Sequence, residues 1–345
     1  MQKMFESYTI RGKQIKNRVV YPPIVMFDES VKSGVMSDVV VEHYKKVAKA
    51  GCGIMIVEAT AIAKDGPLSP MQLGIWDDLF IENMAKLASI AHDEGAIAII
   101  QLMHAGGRAS SLLNNDIAAP SARQYGNNDA RAMTTAEIET LQQQFVNAAL
   151  RAKKAGFDGI ELHSCHGFLL NQFLSPRANS RQDIYGREKT KLTTDIIKQI
   201  RKELGENFII AIRTPGNDPD FASSIQNAKT FIASGADMLH ISHGISSEIP
   251  ADLDYDSAGN YTLVAKAGIE ISKQVDAPVI VVNGIRTPEQ AHVILEQEMV
   301  DFVAVGRGYL CDWGWVEKAR AGQPVNKCVS CPKCLRHSGV RNCVL

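Results

Sequence analysis

Short apolar strands alternate with helix-length segments along almost the whole chain, and this alternation limits the possible folds more than any other feature. The predicted strands cover residues 18–21, 54–58, 97–101, 159–163, 209–213, 238–242, 279–283 and 302–306. The predicted helices cover residues 37–50, 81–94, 135–155, 190–204, 224–234, 263–275 and 288–296. Ser37 and Thr135 are predicted helix caps, and Pro288 suits a first helical position.

Eight such alternations predict an α/β fold, a single (β/α)8 TIM barrel. Two doubly wound domains are the alternative, but no Gly-x-Gly-x-x-Gly follows the first strand and no linker interrupts the middle of the chain. We expect the barrel to occupy residues 1–322 and a short Cys-rich C-terminal tail to occupy residues 323–345.

Composition and charge narrow the class of protein. The 345 residues are 45% hydrophobic and 22% charged, which is typical of a soluble enzyme, and the formal net charge is −1. Such a balance predicts neither nucleic acid nor an anionic membrane as a partner. The N-terminal residues lack the apolar core of a signal peptide, and no apolar run has the length of a membrane span. These features predict a cytoplasmic protein.

The active site of such a barrel lies at the C-terminal ends of its strands, so the residues at those ends are the candidates for ligand binding. Most carry polar residues or glycine, whereas loops without a ligand would have mixed composition. In strand order these residues are Pro22-Pro23-Ile24-Val25, Glu58-Ala59-Thr60, Gln101 with His104, His163 with His166, Arg213, Ser242-His243-Gly244, Asn283-Gly284 and Gly306-Arg307.

His163 and His166 follow the fourth strand, three residues apart, with Phe168 close behind. Two neutral imidazoles at this spacing can direct N–H groups at one small polar atom, such as a carbonyl or nitro oxygen that gains electron density during a reaction. A metal-binding pair and a helix-cap histidine are the alternatives. We interpret the two histidines as donors to a substrate oxygen.

The loops after strands seven and eight predict a phosphate site. Gly284, beside Asn283, and Gly306 let backbone N–H groups approach phosphate oxygens, while a helix starting near Gly308 adds the positive end of its dipole. Arg307 adds a bidentate charge. Taken alone, the Gly306-Arg307-Gly308 motif is weak evidence for phosphate binding, because glycine in a tight turn needs no ligand.

Gln101 and Arg213 end buried strands, where each side chain needs a polar partner. A flat heterocycle rich in nitrogen and carbonyl groups, such as a flavin ring, can bind both. Arg213 beside the flavin N1–C2=O edge would stabilise the negative charge of the reduced ring.

Several longer motifs occur together with these residues and in a consistent order. They are Lys16-Asn17-Arg18-Val19-Val20, Leu73-Gly74-Ile75-Trp76-Asp77-Asp78, Gln101-Leu102-Met103-His104-Ala105-Gly106-Gly107-Arg108, Gln172-Phe173-Leu174-Ser175-Pro176 with Asn179, Arg181, Asp183, Tyr185 and Gly186, and Val305-Gly306-Arg307. Through them the chain resembles the old yellow enzyme family of FMN-dependent ene reductases over roughly residues 3–320. It looks most like the bacterial branch related to the N-terminal domain of 2,4-dienoyl-CoA reductase.

The resemblance implies a non-covalent FMN that NADH or NADPH reduces and that passes a hydride from N5 to an activated alkene, such as an enone, enal, maleimide or nitro compound. It also implies that His163 and His166 hold the substrate's oxygen. The flavin contacts that it implies are Pro22, Pro23, Ile24, Ala59, Gln101, Arg213, Asn283, Gly284, Gly306 and Arg307.

The chain departs from the family pattern near the substrate. Phe168 stands where most members have the tyrosine that protonates the α-carbon, and phenylalanine has no O–H to donate. Water is the simplest substitute, with Ser247 or Glu248 as weaker candidates. Val25 replaces a frequent redox-tuning cysteine, and Phe27 replaces a frequent tyrosine of the substrate pocket. Both changes predict a more apolar pocket.

The tail carries a dense thiol cluster, Cys328-x2-Cys331-x2-Cys334-x8-Cys343. It resembles the [4Fe–4S] site of longer relatives, although the gaps after its second and third cysteines are shorter. The sequence leaves three interpretations of these cysteines: a working iron–sulfur cluster, a structural zinc site or a metal-free remnant. Arg336 or Arg341 reaching a neighbouring subunit's active site is a further interpretation.

These observations predict an NAD(P)H-dependent flavin oxidoreductase of the ene reductase type, with a small-molecule substrate and a homo-oligomeric state, dimer or tetramer. The alternative is an FMN-dependent dehydrogenase, or an electron-transfer or redox-sensing flavoprotein that works with a partner through the tail cysteines.

Overall fold

Eight parallel strands form a closed barrel in the computed structural model, which describes residues 2–246, 248–256, 261–331 and 343. The strands pair in chain order, and Val303 opposite Val19 joins strand eight to strand one. The (β/α)8 prediction is therefore confirmed. Barrel strands one to eight are Val19–Tyr21, Ile54–Ala61, Ile97–Met103, Gly159–His163, Ile209–Pro215, Met238–Ser242, Val279–Val282 and Phe302–Ala304.

Helices follow the strands and begin at capping side chains. Ser37 accepts a hydrogen bond from the Val40 N–H, and Thr287 forms a capping box with Gln290. The predicted cap Thr135 is wrong by one residue, because Thr134 makes the capping box with Glu137. The main helices are Asp38–Lys49, Ile81–Asp93, Thr135–Lys154, Lys191–Leu204, Phe221–Ala233, Leu263–Ser272, Pro288–His292 and Trp315–Arg320.

The inside of the barrel is apolar in its lower half. Alternate residues of a strand face the same side, so Ile97 and Ile99 of strand three pack inward against Ile209 and Ala211 of strand five. An antiparallel hairpin of Tyr8–Ile10 and Lys13–Ile15 contributes to the same cluster beside the first residues of the strands. The hairpin thus closes the N-terminal end and leaves the opposite end for a ligand.

Several elements around the upper end lie outside the eightfold pattern. A small sheet of Ala118–Ala119, Arg123–Tyr125 and Asn128–Ala132 lies between strand three and the next main helix. Short helices Leu169–Leu174, Ile184–Arg187 and Arg307–Cys311 follow strands four and eight, and a π-helix, Val293–Gln297, continues the helix after strand seven. Of the helices that the structure describes, none combines the length and apolar character needed to cross a membrane.

Candidate functional site

A cavity of about 470 Å³ opens at the C-terminal ends of the barrel strands. Its walls contain every residue that the sequence predicts for cofactor or substrate within the barrel. These residues are Pro22, Pro23, Ile24, Phe27, Ala59, Gln101, His163, His166, Phe168, Arg213, Asn283, Gly284, Gly306 and Arg307. The fold therefore gathers residues that are up to 285 positions apart (from 22 to 307) around one space large enough for a ligand.

The two histidines project from the turn that ends strand four. His166 adopts a positive φ of 61°, and its N–H donates to the His243 carbonyl at 3.0 Å, so the turn is held against the end of strand six. His163 Nε2 and His166 Nδ1 are 3.3 Å apart. An oxygen atom can lie about 2.9 Å from both nitrogens, the usual hydrogen-bond distance.

The far nitrogens of both rings have partners that can set the tautomers. Ser242 Oγ lies 2.7 Å from His166 Nε2, and Cys165 Sγ lies 3.8 Å from His163 Nδ1. If the Ser242 hydroxyl and the Cys165 thiol donate, the proton of each imidazole is on the nitrogen that faces the other ring. Two N–H groups then point into the space between the rings, where they can both donate to an electron-rich oxygen. They cannot hydrogen-bond each other, because both are donors.

Burial keeps both histidines neutral. The pKa of His163 and that of His166 lie well below the usual value of 6.5, chiefly because burial disfavours the imidazolium and secondly because the Arg213 guanidinium is close. Burial also raises the pKa of the Cys165 thiol to about 12, so this sulfur carries its proton at neutral pH. Each neutral ring therefore has one N–H to donate and carries no charge.

Phe168 forms an apolar wall beside the pair. Its ring meets the His163 ring edge-on, with the centroids 5.0 Å apart. Of the two side chains considered as substitute proton donors, Glu248 lies at the surface and pairs with Arg177 at 3.1 Å. Ser247 lies outside the described residues.

Two of the residues predicted to bind a flavin ring leave buried polar atoms without a hydrogen-bond partner among the described residues. They are Gln101, through Oε1, and Arg213, through Nε. Such atoms are costly to bury unless a ligand satisfies them. Because one is an acceptor and the other a cationic donor, a flavin ring with its N–H and carbonyl groups fits this wall of the cavity.

The opposite wall suits a phosphate. Gly284 has a φ of 79°, and a Cβ on Gly306 would come within 3.0 Å of Ile24 and 3.2 Å of Pro22, so glycine keeps this backbone accessible. The helix begins at Arg307, next to the predicted start near Gly308, and ends at Cys311. Such a short helix has little dipole, so the backbone N–H groups and the arginine are the main contacts available to a phosphate.

Sequence reasoning missed several cavity residues. Arg286 lines the cavity, and its Nε is buried without a partner in the described part of the chain. Its signal was its position, two residues after the Asn283-Gly284 turn. Ser242 and His243 also line the cavity; both stood at a strand end in the sequence, but nothing there indicated that Ser242 contacts His166.

The tail cysteines are arranged differently from the predicted metal set. Cys343 Sγ lies 3.4 Å from Cys311 Sγ, a residue outside the predicted set, while Cys328 is buried and Cys331 is half-buried. Among the described residues, only His163, Cys165 and His166 bring three possible ligand atoms within 4.8 Å of one another. The iron–sulfur and zinc hypotheses for Cys328, Cys331, Cys334 and Cys343 therefore have no support from these residues. Cys334, Arg336 and Arg341 lie outside them.

Comparison with known sequences places the chain in a family. A family model described as NADH:flavin oxidoreductase / NADH oxidase matches residues 3–326. An NADPH dehydrogenase of Halalkalibacterium halodurans is 35% identical over 326 residues, which are 92% of this chain and 94% of that protein. An NADH oxidase of Thermoanaerobacter brockii is 34% identical over 343 residues, which are 95% of this chain but only 52% of that protein. The chain thus spans about half the length of the second relative.

Solved structures agree on the fold. An old yellow enzyme homologue from Zymomonas mobilis has a TM-score of 0.80 and 25% identity, with 95% of each chain covered. Morphinone reductase has a TM-score of 0.79 and 22% identity, with 94% of this chain and 91% of its own covered. A 2-naphthoyl-CoA reductase complex has a TM-score of 0.86 and 23% identity, but this chain covers only 54% of it. None of these proteins tests the predicted link to 2,4-dienoyl-CoA reductase.

The cavity lies at the strand ends, and among the described residues it has a buried acceptor and a cationic donor without partners. The family model matches residues 3–326, and the NADPH dehydrogenase relative shares more than nine-tenths of its length with this chain. The chain belongs to the NADH:flavin oxidoreductase / NADH oxidase family, the old yellow enzyme family, and is an NAD(P)H-dependent flavin oxidoreductase.

Proposed function

We propose that this protein is an ene reductase that holds FMN in the barrel cavity and reduces activated alkenes, namely enones, enals, maleimides or nitroalkenes. When bound, FMN supplies the hydride chemistry: it accepts a hydride from NADH or NADPH and donates one to the alkene. The rest of the reaction depends on how the chain binds the two partners.

Gln101 and Arg213 would hold the flavin ring, since their unpartnered atoms complement its N–H and carbonyl groups. Asn283, Gly284, Gly306 and Arg307 would hold the phosphate. Pro22, Pro23, Ile24 and Ala59 offer apolar surface and backbone groups along the same cavity.

His163 and His166 would bind the substrate's carbonyl or nitro oxygen. As the β-carbon gains a hydride, negative charge builds up on that oxygen, and the two N–H donors stabilise it more strongly than they stabilise the ground state. The 3.3 Å separation of the two ring nitrogens is the observation that carries this proposal. Phe27 and Phe168 would pack against the carbon skeleton.

Proton delivery would fall to water, because Phe168 cannot donate and Glu248 is engaged at the surface. The product anion, still held by the two histidines, is then protonated from solvent at the α-carbon. Substrates whose anions are well delocalised tolerate this delay best, which favours maleimides and nitroalkenes over simple enals.

Anaerobic oxidation of NADPH or NADH by the FMN-loaded protein, with N-ethylmaleimide or 2-cyclohexenone as the acceptor, tests this proposal. We expect alkene-dependent oxidation and a succinimide or cyclohexanone product. His163→Ala and His166→Ala should each lower kcat/KM for the alkene by about 10²–10³-fold, the range found when a donor to an oxyanion is removed.

The control is the affinity for FMN, which both alanine variants should keep. A protein that binds FMN and oxidises NAD(P)H with dioxygen or a quinone, yet forms no reduced alkene, would contradict the ene reductase assignment. It would leave the flavin oxidoreductase class intact.

A further inference from the structure

A chain of three buried polar side chains lies just below the cavity. Gln101 Nε2 donates to Glu161 Oε1 at 2.6 Å, and His240 Nδ1 lies 2.7 Å from Glu161 Oε2. The barrel register brings them together: Gln101 lies opposite Glu161, which on its other side lies opposite Ala211 of strand five. All three side chains are almost completely buried.

Glu161 is an unusual residue for this position. Neighbouring inward positions such as Ile99 and Ala211 are apolar, and Glu161 itself does not line the cavity. Among the side chains that the structure describes, the only titratable one hydrogen-bonded to it is His240. A buried carboxylate is costly compared with a well-packed apolar side chain, so stability alone gives no reason for it.

A carboxylate at position 161 fixes the amide orientation of Gln101 and the tautomer of His240. It only accepts hydrogen bonds, so it must bind the NH2 group of Gln101, and the amide cannot flip. The Oε1 atom is then left as a buried acceptor without a partner among the described residues. Glu161 likewise holds the proton of His240 on Nδ1. The His240 Nε2 atom is then a second buried acceptor without a partner among the described residues.

We propose that Glu161 is a positioning residue that presents Gln101 Oε1 to the cavity as a fixed hydrogen-bond acceptor for the ring N–H of the flavin. This inference rests on the proposed FMN site. Without Glu161 the Gln101 amide would be free to turn its NH2 group toward the cavity, where it cannot accept the ring N–H, and only the opposite orientation matches the flavin. Part of the binding free energy would then be spent on selecting it.

The test combines Glu161→Gln with a change in the ligand. Glutamine keeps the size of the side chain but can accept or donate, so it no longer dictates the orientation of Gln101. FMN and N3-methyl-FMN, which lacks the ring N–H, are titrated into the wild-type and variant apoproteins by flavin fluorescence. We expect Glu161→Gln to weaken FMN binding by about tenfold, the size of one hydrogen bond, and to change N3-methyl-FMN binding by less than twofold.

Two controls separate this role from damage to the barrel. Thr214→Val replaces another buried side chain of the barrel, whose hydroxyl has no partner among the described residues, and should leave FMN affinity unchanged. Glu161→Asp keeps an acceptor-only carboxylate and should recover part of the lost affinity. Thermal unfolding of each apoprotein checks that it is folded.

The outcomes distinguish the two claims. Equal weakening of FMN and N3-methyl-FMN by Glu161→Gln, or no weakening of either, would overturn the role of Glu161 and leave the proposed function standing. Should Glu161→Gln not fold, Glu161→Asp, whose shorter carboxylate reaches Gln101 less well, gives the same ligand comparison and should weaken FMN binding more than N3-methyl-FMN binding. Failure of the wild-type protein to bind FMN would overturn both claims.

Discussion

At the scale of single residues, the chemistry of the cavity depends on which nitrogen of each histidine carries the proton. His163 and His166 face each other across 3.3 Å, and each has a polar partner behind it, Cys165 or Ser242. The Ser242 contact is the shorter, at 2.7 Å, and therefore the stronger constraint. A pair of neutral rings held in this way can donate two hydrogen bonds to an oxygen without changing charge.

Ser242→Ala should lower kcat/KM for the alkene about tenfold, because His166 then loses the hydrogen bond that holds its proton on Nδ1. Steady-state kinetics with N-ethylmaleimide measures this change. Ser242→Thr keeps the hydroxyl and should retain most of the activity. Equal activity of the alanine and threonine variants would show that Ser242 does not set the tautomer.

Phe168→Tyr should speed up enone reduction, because the new hydroxyl would extend from a ring already beside His163 and could protonate the α-carbon. We expect kcat/KM for 2-cyclohexenone to rise at least about tenfold, and the rate for N-ethylmaleimide to change less. An unchanged rate with both acceptors would count against the argument that the wild-type chain lacks a proton donor.

At the scale of elements, the loops after strands seven and eight form the proposed phosphate end. Gly306 keeps the backbone open, and Arg286 and Arg307 bring two guanidinium groups to the same wall of the cavity. Arg307 also donates to Ser330 Oγ at 3.1 Å, which connects this wall to the first part of the tail.

Arg307→Ala should weaken FMN binding by about tenfold to a hundredfold, the usual range for a lost hydrogen bond to a charged group. Riboflavin, which has no phosphate, should bind both forms alike, and fluorescence titration with the two ligands compares them. Ser330→Ala is the matched control: it removes only the exposed contact and should leave both affinities unchanged. If Arg307→Ala weakened the binding of FMN and riboflavin equally, Arg307 would not be a phosphate contact.

Elements with strong local signals could be predicted from the sequence, and those that depend on register could not. The eight strands and most helices carry their own apolar periodicity and caps, so their order indicated the barrel and hence the strand ends. Glu161 and His240 lie within predicted strands, but their contact depends on the pairing of strands three, four and five. The sheet within residues 118–132 has strands too short for a periodic signal.

The tail shows the limit of spacing as a guide. Four cysteines at close intervals suggested a metal site, yet Cys343 lies beside Cys311, which stands near the end of the barrel domain in sequence. Local spacing carries no information about such a distant partner. The division into a barrel of residues 1–322 and a separate tail stays a prediction, and so does the homo-oligomeric state.

At the scale of the whole molecule, two buried neutral histidines couple stability to pH. Their folded-state pKa values are depressed by burial, so the unfolded chain binds protons that the folded chain does not. Their contribution to stability is complete above the ordinary pKa of 6.5 and is lost as pH falls toward the folded-state values. Each histidine should contribute a slope of about 1.4 kcal/mol per pH unit in that range.

Urea unfolding at pH 7.5, 6.5 and 5.5 measures this slope. The double variant His163→Asn and His166→Asn should lose stability less steeply below pH 6.5 than the wild-type protein, while the two slopes should agree above it. Identical slopes below pH 6.5 would mean that the histidines take up protons in the folded state.

The most direct test of the central claim is a single-turnover experiment on the FMN-loaded protein. The bound flavin is reduced by light in the absence of oxygen and of nicotinamide, and one equivalent of N-ethylmaleimide is then added while the absorbance near about 450 nm is followed. We predict full recovery of the oxidised spectrum and one equivalent of N-ethylsuccinimide, with recovery at least about a hundredfold slower in His163→Ala. A reduced flavin that persists with maleimide but recovers with dioxygen would contradict the account.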